Sequence, residues 1–131
     1  WEEQKRALLE MESLLKKNGR IILTENTQEG LARLNALRKK FDLSAISVRW
    51  HNFYMPEKKL LPFIKRQFKL ESVENCGNLY YILSRVVYAK LADMEGSQPD
   101  YLHPINKIAS QLPSLGNYQY SPNFIYVLCR K

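Results

Sequence analysis

Lys16-Lys17-Asn18-Gly19-Arg20-Ile21-Ile22-Leu23-Thr24-Glu25-Asn26 decides how the rest of the chain is read. Two lysines suit the end of a helix, where cations complement its dipole. Gly19 can take the left-handed conformation that closes a helix. Ile21, Ile22 and Leu23 then run together without polar alternation, the pattern of a strand buried on both faces. Such strands belong mainly to parallel sheets covered by helices, so a buried, parallel-type strand is expected over Arg20–Thr24. Thr24, Glu25 and Asn26 fall at its carboxyl end, where open α/β sheets bind their ligands.

Upstream, Leu8, Met11 and Leu15 recur at helical spacing between Glu2 and Lys17. Downstream, Asn26 or Thr27 can cap a second helix, with Glu29 in capping-box position to Asn26. Leu31, Leu34, Leu37 and Phe41 form the stripe of that helix, which is expected to end near Lys40. Asn35 and Arg38 lie on the flank of the stripe, as an ordinary helix edge or as the rim of a cleft. Residues 42–55 lack a helical period and contain Trp50-His51-Asn52-Phe53-Tyr54. Pro56 suits a helix start, and Leu60, Leu61, Ile64 and Phe68 continue a helix in which Pro62 is expected to cause a kink or break. Leu70–Asn75 reads as a strand, Asn78 to Met94 as a helix and Glu95 to Leu102 as a loop. His103-Pro104 opens a short helix through Leu112, residues 113–122 form turns, and Phe124–Cys129 is a strand. The last two strands are expected to pair antiparallel in an α/β fold.

The chain has 131 residues, enough for one domain with a real core, 1–131, but not for two. No apolar run approaches the roughly 20 residues needed to span a bilayer, and no signal peptide opens the chain. Membrane insertion is therefore not expected. Cys76 and Cys129 lack metal-ligand spacing, so no metal site is expected. A disulfide between them is conceivable, but two reduced thiols in a cytoplasmic protein is the plain reading. The net charge is +7, yet the basic residues sit in small clusters such as Arg38-Lys39-Lys40 and Lys65-Arg66. That distribution fits a solvated surface better than the continuous basic stripe of a nucleic-acid interface. The opening Trp1-Glu2-Glu3-Gln4, without a methionine, reads as a cut inside a larger protein.

Leu14-Leu15-Lys16-Lys17-Asn18-Gly19-Arg20-Ile21-Ile22-Leu23 resembles the helix, Leu-Lys-Pro-Gly-Gly, strand passage of class I S-adenosylmethionine-dependent methyltransferases. In that family it joins the fourth helix to the fifth strand; the usual proline is Asn18 here. The runs Gly30-Leu31-x-x-Leu34-Asn35-x-Leu37-Arg38 and Trp50-His51-Asn52-x-Tyr54 resemble a bacterial subgroup acting on small molecules. Tyr126-Val127-Leu128-Cys129-Arg130-Lys131 resembles the family's seventh strand with its basic tail. The resemblance covers the whole chain as the carboxyl-terminal half of a Rossmann-like three-layer sandwich. It implies the acceptor side of a methyltransferase, with S-adenosylmethionine as cofactor of the intact protein. The family's Gly-rich cofactor loop has no counterpart here, since the five glycines include no Gly-x-Gly. No cofactor-binding residue is assigned, and the chain alone is not expected to turn over.

Methyl transfer needs a positioned acceptor and, for an oxygen or nitrogen acceptor, a base. Glu25 can orient or deprotonate the acceptor, or it can favour the start of the next helix. His51 can serve as base, or it can be hydrogen-bonded within its loop. Asn26, Arg38, Trp50, Asn52 and Tyr54 are candidates for binding the acceptor. Tyr81 and Arg85, four apart on one helix face, can close the pocket or simply pack against the sheet. His103 reads as a helix-start residue. A non-catalytic interaction module of the same architecture and an RNA-binding or RNA-modifying partner are the competing functions. With strand edges uncovered, a homodimer is expected.

Overall fold

The computed structural model describes residues 1–100, 102–113 and 120–131. The first helix, α1, spans Glu2–Leu14 and leads through the Gly19 turn into strand β1, Arg20–Asn26. Helix α2 covers Gln28–Lys39 and α3 Glu57–Gln67, with strand β2 following directly at Phe68–Asn75. Helix α4, Asn78–Ile82, passes into a π-helical turn at Leu83–Val87 and then into α5, Tyr88–Met94. Helix α6, Pro104–Gln111, precedes the last strand, β3, Asn123–Arg130.

The strands form one sheet in the order β1-β3-β2, and β3 runs antiparallel to both neighbours. The expected antiparallel pairing of the last two strands is present, with an irregularity between Leu70 and Ser72. The expectation for β1 needs correction. Its partner in the sheet is antiparallel β3, and Ile22 is 71% exposed whereas Leu23 is buried. An apolar triplet shows that a strand is sticky on both faces, but not which faces are covered or which strand fills its edge. Since β1 and β2 both oppose β3, they run parallel to each other.

One face of the sheet carries the core. Leu23 sits opposite Tyr126, and Phe124 and Leu128 follow on the same side by strand alternation. They pack with Leu8 of α1, Met55, and Leu60, Phe63 and Ile64 of α3. Trp1 adds an edge-on contact with Phe63 at 5.8 Å. Of the first helix's expected stripe, Leu8 is buried, whereas Met11 is exposed. Helix α3 runs unbroken through Pro62 but stops at Gln67, so Phe68 enters the core from β2 and not from the helix.

Thr27 caps α2, its Oγ1 accepting from Gly30 N at 3.1 Å. Glu29 does not close a capping box on Asn26. Its carboxylate reaches across to α3, accepting from Glu57 N at 2.7 Å and Lys58 N at 3.3 Å. Burial opposes ionisation there, but these backbone donors and the Lys58 charge prevail and hold Glu29 below the usual carboxylate range. Thr27 Oγ1 in turn donates to Glu57 Oε1 at 2.6 Å, and Arg33 Nη2 donates to the same oxygen at 3.0 Å. Helices α2 and α3 are thus tied together at their amino ends, just beyond the carboxyl end of β1.

Candidate functional site

A cleft of about 450 Å³ opens beside that tie. Its walls come from α2 (Leu31, Leu34, Arg38), from the loop between α2 and α3 (Ile46, Arg49, Asn52, Tyr54) and from the α4–α5 segment (Tyr81, Ser84, Arg85). Pro122, one residue before β3, lies at its base. The volume falls within the range of roughly 300–1,000 Å³ typical of small-molecule sites.

The loop of residues 40–56 has no regular structure, yet side chains fix its course. Asn35 makes a reciprocal pair with Ile46, donating to its carbonyl at 3.0 Å and accepting from its N–H at 2.8 Å. Gln28 Nε2 donates to Tyr54 O at 3.1 Å, and Met55 N donates to Asn26 O at 2.8 Å. Arg38 Nε donates to Ser44 O at 2.8 Å while its Nη1 donates to Arg85 O. Arg38 therefore joins two walls of the cleft. Of its two sequence readings, the cleft rim describes it, and Asn35 anchors the same wall.

The opposite wall depends on the π-helical turn at Leu83–Val87, an interruption within the single helix expected from Asn78 to Met94. A π turn adds a residue to the helical repeat and re-aims the side chains around it, and such turns are common at functional sites. Ser84 and Arg85, both in this turn, line the cleft. Ser84 is buried and donates to Asn106 Oδ1 of α6, and Asn106 Nδ2 donates to Asp100 O at 3.0 Å. His103 caps α6 as expected, its Nδ1 accepting from Ile105 N at 3.3 Å. Its ring stacks on Tyr88 at 4.4 Å.

The ends of the three strands meet in a row of asparagines. Asn26 of β1 pairs in register with Asn123 of β3. Asn75 of β2 donates from Nδ2 to Ser121 O at 2.9 Å and Asn123 O at 3.0 Å. Asn123 Nδ2 donates to the Tyr81 hydroxyl at 3.3 Å. The Oδ1 atoms of Asn26 and Asn75 are buried and have no hydrogen-bond partner among the described residues. Burial raises the pKa of Tyr81 to about 12, so its phenol stays protonated at neutral pH and is not a base.

Five of the sequence candidates, Arg38, Asn52, Tyr54, Tyr81 and Arg85, therefore share one cleft. Asn26 stands at the strand end but is not part of the cleft wall. Trp50 is 91% exposed and lies edge-on against His51 at 5.3 Å, both outside the cleft. Glu25 is on the opposite face of β1 from Asn26, the face shared with Phe124, and it does not line the cleft either. Burial raises its pKa, and it makes no ion pair among the described residues. Three polar cleft residues, Ser47, Arg49 and Ser84, escaped the sequence reading, as did Asn75 and Asn123. The position that marked Asn26, the carboxyl end of a strand, marks Asn75 equally, whereas Asn123 opens β3 and joins them because β3 runs antiparallel to both.

Among the described residues there is no group of His, Cys, Asp and Glu suited to a metal ion, and no helix is long and apolar enough to cross a membrane. Cys76 and Cys129 are free thiols. No protein-family model matches the chain, and no curated protein matches it.

Proposed function

We propose that this chain is the acceptor-binding, carboxyl-terminal part of an S-adenosylmethionine-dependent methyltransferase of Rossmann-like fold, and that the cleft holds a small-molecule acceptor. The observation that carries this reading is the convergence of Arg38, Asn52, Tyr54, Tyr81 and Arg85, far apart in sequence, on one cleft near the strand ends. Doubly wound sheets place ligands outside the carboxyl ends of their parallel strands. Strands β1 and β2 run parallel and are joined through α2 and α3, which agrees with that architecture. The opening helix, Gly19 turn and β1 follow the passage through which the chain resembles the family.

The described residues do not fit the cofactor itself. A side chain at Gly19 would meet Lys16 O at 2.8 Å, and one at Gly30 would meet Pro122 Cα at 2.7 Å. Gly77 and Gly96 adjoin helix ends, before α4 and after α5. No two of these glycines combine into a cradle, so the role assigned to the chain is acceptor binding. Arg38 sets the width of the cleft, Tyr81 and Asn52 offer hydrogen bonds, and Tyr54 adds an aromatic face. Glu25, on the other face of β1 and outside the cleft, is not placed to take a proton from an acceptor held there, so no base is assigned to it.

The test is methyl transfer by the full-length protein that carries this chain. Incubated with tritiated S-adenosylmethionine and a small-molecule cell extract, it should place label in a small product. Label in RNA instead would replace this reading by the RNA-modifying one. No transfer to either, with no cofactor binding, would leave an interaction module and overturn the proposal.

A further inference from the structure

Three guanidinium groups reach the cleft, from Arg38 in α2, Arg49 in the loop and Arg85 in the π-helical turn. No Asp or Glu is among the described residues that line it. The residues outside the described set, 101 and 114–119, include neither Asp nor Glu. Positions 38, 49 and 85 belong to no single basic cluster in the sequence, so the concentration of charge is a product of folding. Arg38 donates to the carbonyls of Ser44 and Arg85, which hold its guanidinium between two walls of the cleft. Arg85 also extends over the Tyr80 ring at 5.9 Å.

We infer that the cleft recognises an oxyanion, a carboxylate or phosphate carried by its small-molecule ligand. Guanidinium forks match the paired oxygens of both groups, and hydrogen bonds between charged partners are about twice as strong as neutral ones. Concave walls lined by one sign of charge also concentrate the field on a ligand of opposite sign. The protonated Tyr81 adds a neutral donor, while Leu31, Leu34 and Ile46 supply the apolar remainder of the wall. The cleft is thus built for a molecule with one anionic end and an uncharged body. This inference names the substrate class of the site proposed above and rests on that reading for the ligand's identity as a methyl acceptor.

The experiment is an amide chemical-shift titration of the full-length protein with inorganic phosphate, sodium acetate and, as a neutral probe, glucose. Phosphate or acetate should shift the amides of Arg49, Ser84 and Arg85, and whichever binds more tightly identifies the oxyanion. Arg49→Glu should weaken that binding by about 10-fold or more, the usual size of a charged hydrogen bond. Arg49 is exposed in an irregular loop, so the variant is expected to fold. Arg49→Lys should bind better than Arg49→Glu, and Lys65→Glu, which changes an exposed charge in α3, should leave binding intact. Equal loss in the Lys65→Glu and Arg49→Glu variants would mean diffuse attraction only and would overturn the inference. Glucose shifting the cleft amides while both anions do not would overturn it yet leave the acceptor-site reading standing. Silence of the cleft to all three probes would overturn the inference. Methyl transfer to a small molecule would still uphold the broader reading in that case.

Discussion

Glu57→Ala is expected to lower the melting temperature by about 6–15 °C, a magnitude that follows from one carboxylate oxygen. Glu57 Oε1 accepts from the Thr27 hydroxyl at 2.6 Å and from Arg33 Nη2 at 3.0 Å. Its side chain is 17% exposed, and Thr27 is fully buried. Hydrogen bonds to a charged group contribute about 1.5–3 kcal/mol each. Two effects soften their loss. Arg33 is a third exposed, so water replaces part of its contact. The Thr27 hydroxyl can turn towards Pro122 O, 3.4 Å away. The net loss is then about 2–3 kcal/mol, and for a chain of this size each kcal/mol moves the midpoint by about 3–5 °C. Thermal unfolding followed by circular dichroism at several scan rates measures it. Glu57→Gln keeps an acceptor at the same place and should lose less than half as much. A Glu57→Ala midpoint within about 2 °C of wild type would refute the idea that this contact ties α2 to α3.

Gly30→Ala should destabilise by about 1–2 kcal/mol in urea, because overpacking costs about 1–3 kcal/mol and the better helix former returns at most about 1. The new methyl group would meet Pro122 Cα at 2.7 Å, a backbone atom that cannot swing aside, so a stabilised variant would contradict the packing described. Burial raises the pKa of Glu25, so folding favours its protonated form. That stability is present below the ordinary value of 4.5 and is lost as pH rises through the folded value. Glu25→Gln should therefore melt higher than wild type near pH 7, with the gap closing under acid conditions; a gap that widens in acid would reverse the assignment. Glu25 lies outside the cleft, so the same substitution should leave kcat of the full-length protein within about threefold of wild type; a loss of about 100-fold, the size expected for a general base, would contradict the placement of the acceptor. Strand β1 lies at the edge of the sheet with Ile22 exposed, so pairing between copies is expected at high concentration and should be abolished by Ile22→Lys. A monomeric mass in light scattering for the unsubstituted chain would contradict that.

Local signals placed the elements well. The turn before β1, the strand after it and the pairing of the last two strands follow from periodicity and turn residues, but the left-handed residue of that turn is Asn18, at φ 61°, and not the expected Gly19. Contacts between distant segments are what the sequence could not reveal. Glu29 looks like a capping-box residue for its own helix, yet it satisfies the amino end of α3, because the bend of the intervening loop brings Glu57 within 2.7 Å. The π-helical turn at Leu83–Val87 has no signature in a run of apolar residues that reads as continuous helix, although it aims Ser84 and Arg85 into the cleft. Ile22 looks as buried as Leu23 until the layers are assembled. Among the candidates, residues already on helices with a known face, Arg38, Tyr81 and Arg85, converged on one site. In the aromatic loop only the fold could separate Asn52 and Tyr54 from Trp50 and His51, since an irregular segment has no period to say which side chains face inward.

The most direct measurement is a crystal structure of the full-length protein bound to S-adenosylhomocysteine and the small molecule it methylates. The acceptor is expected in the cleft, within hydrogen-bond distance of Tyr81 or Asn52 and with an anionic group towards Arg49 or Arg85. An acceptor seated away from Tyr81 and Arg85, for instance in the adjoining hollow of about 500 Å³ between Trp1 and Lys59, which shares only Asn52 and Tyr54 with the cleft, would contradict the assignment of this cleft.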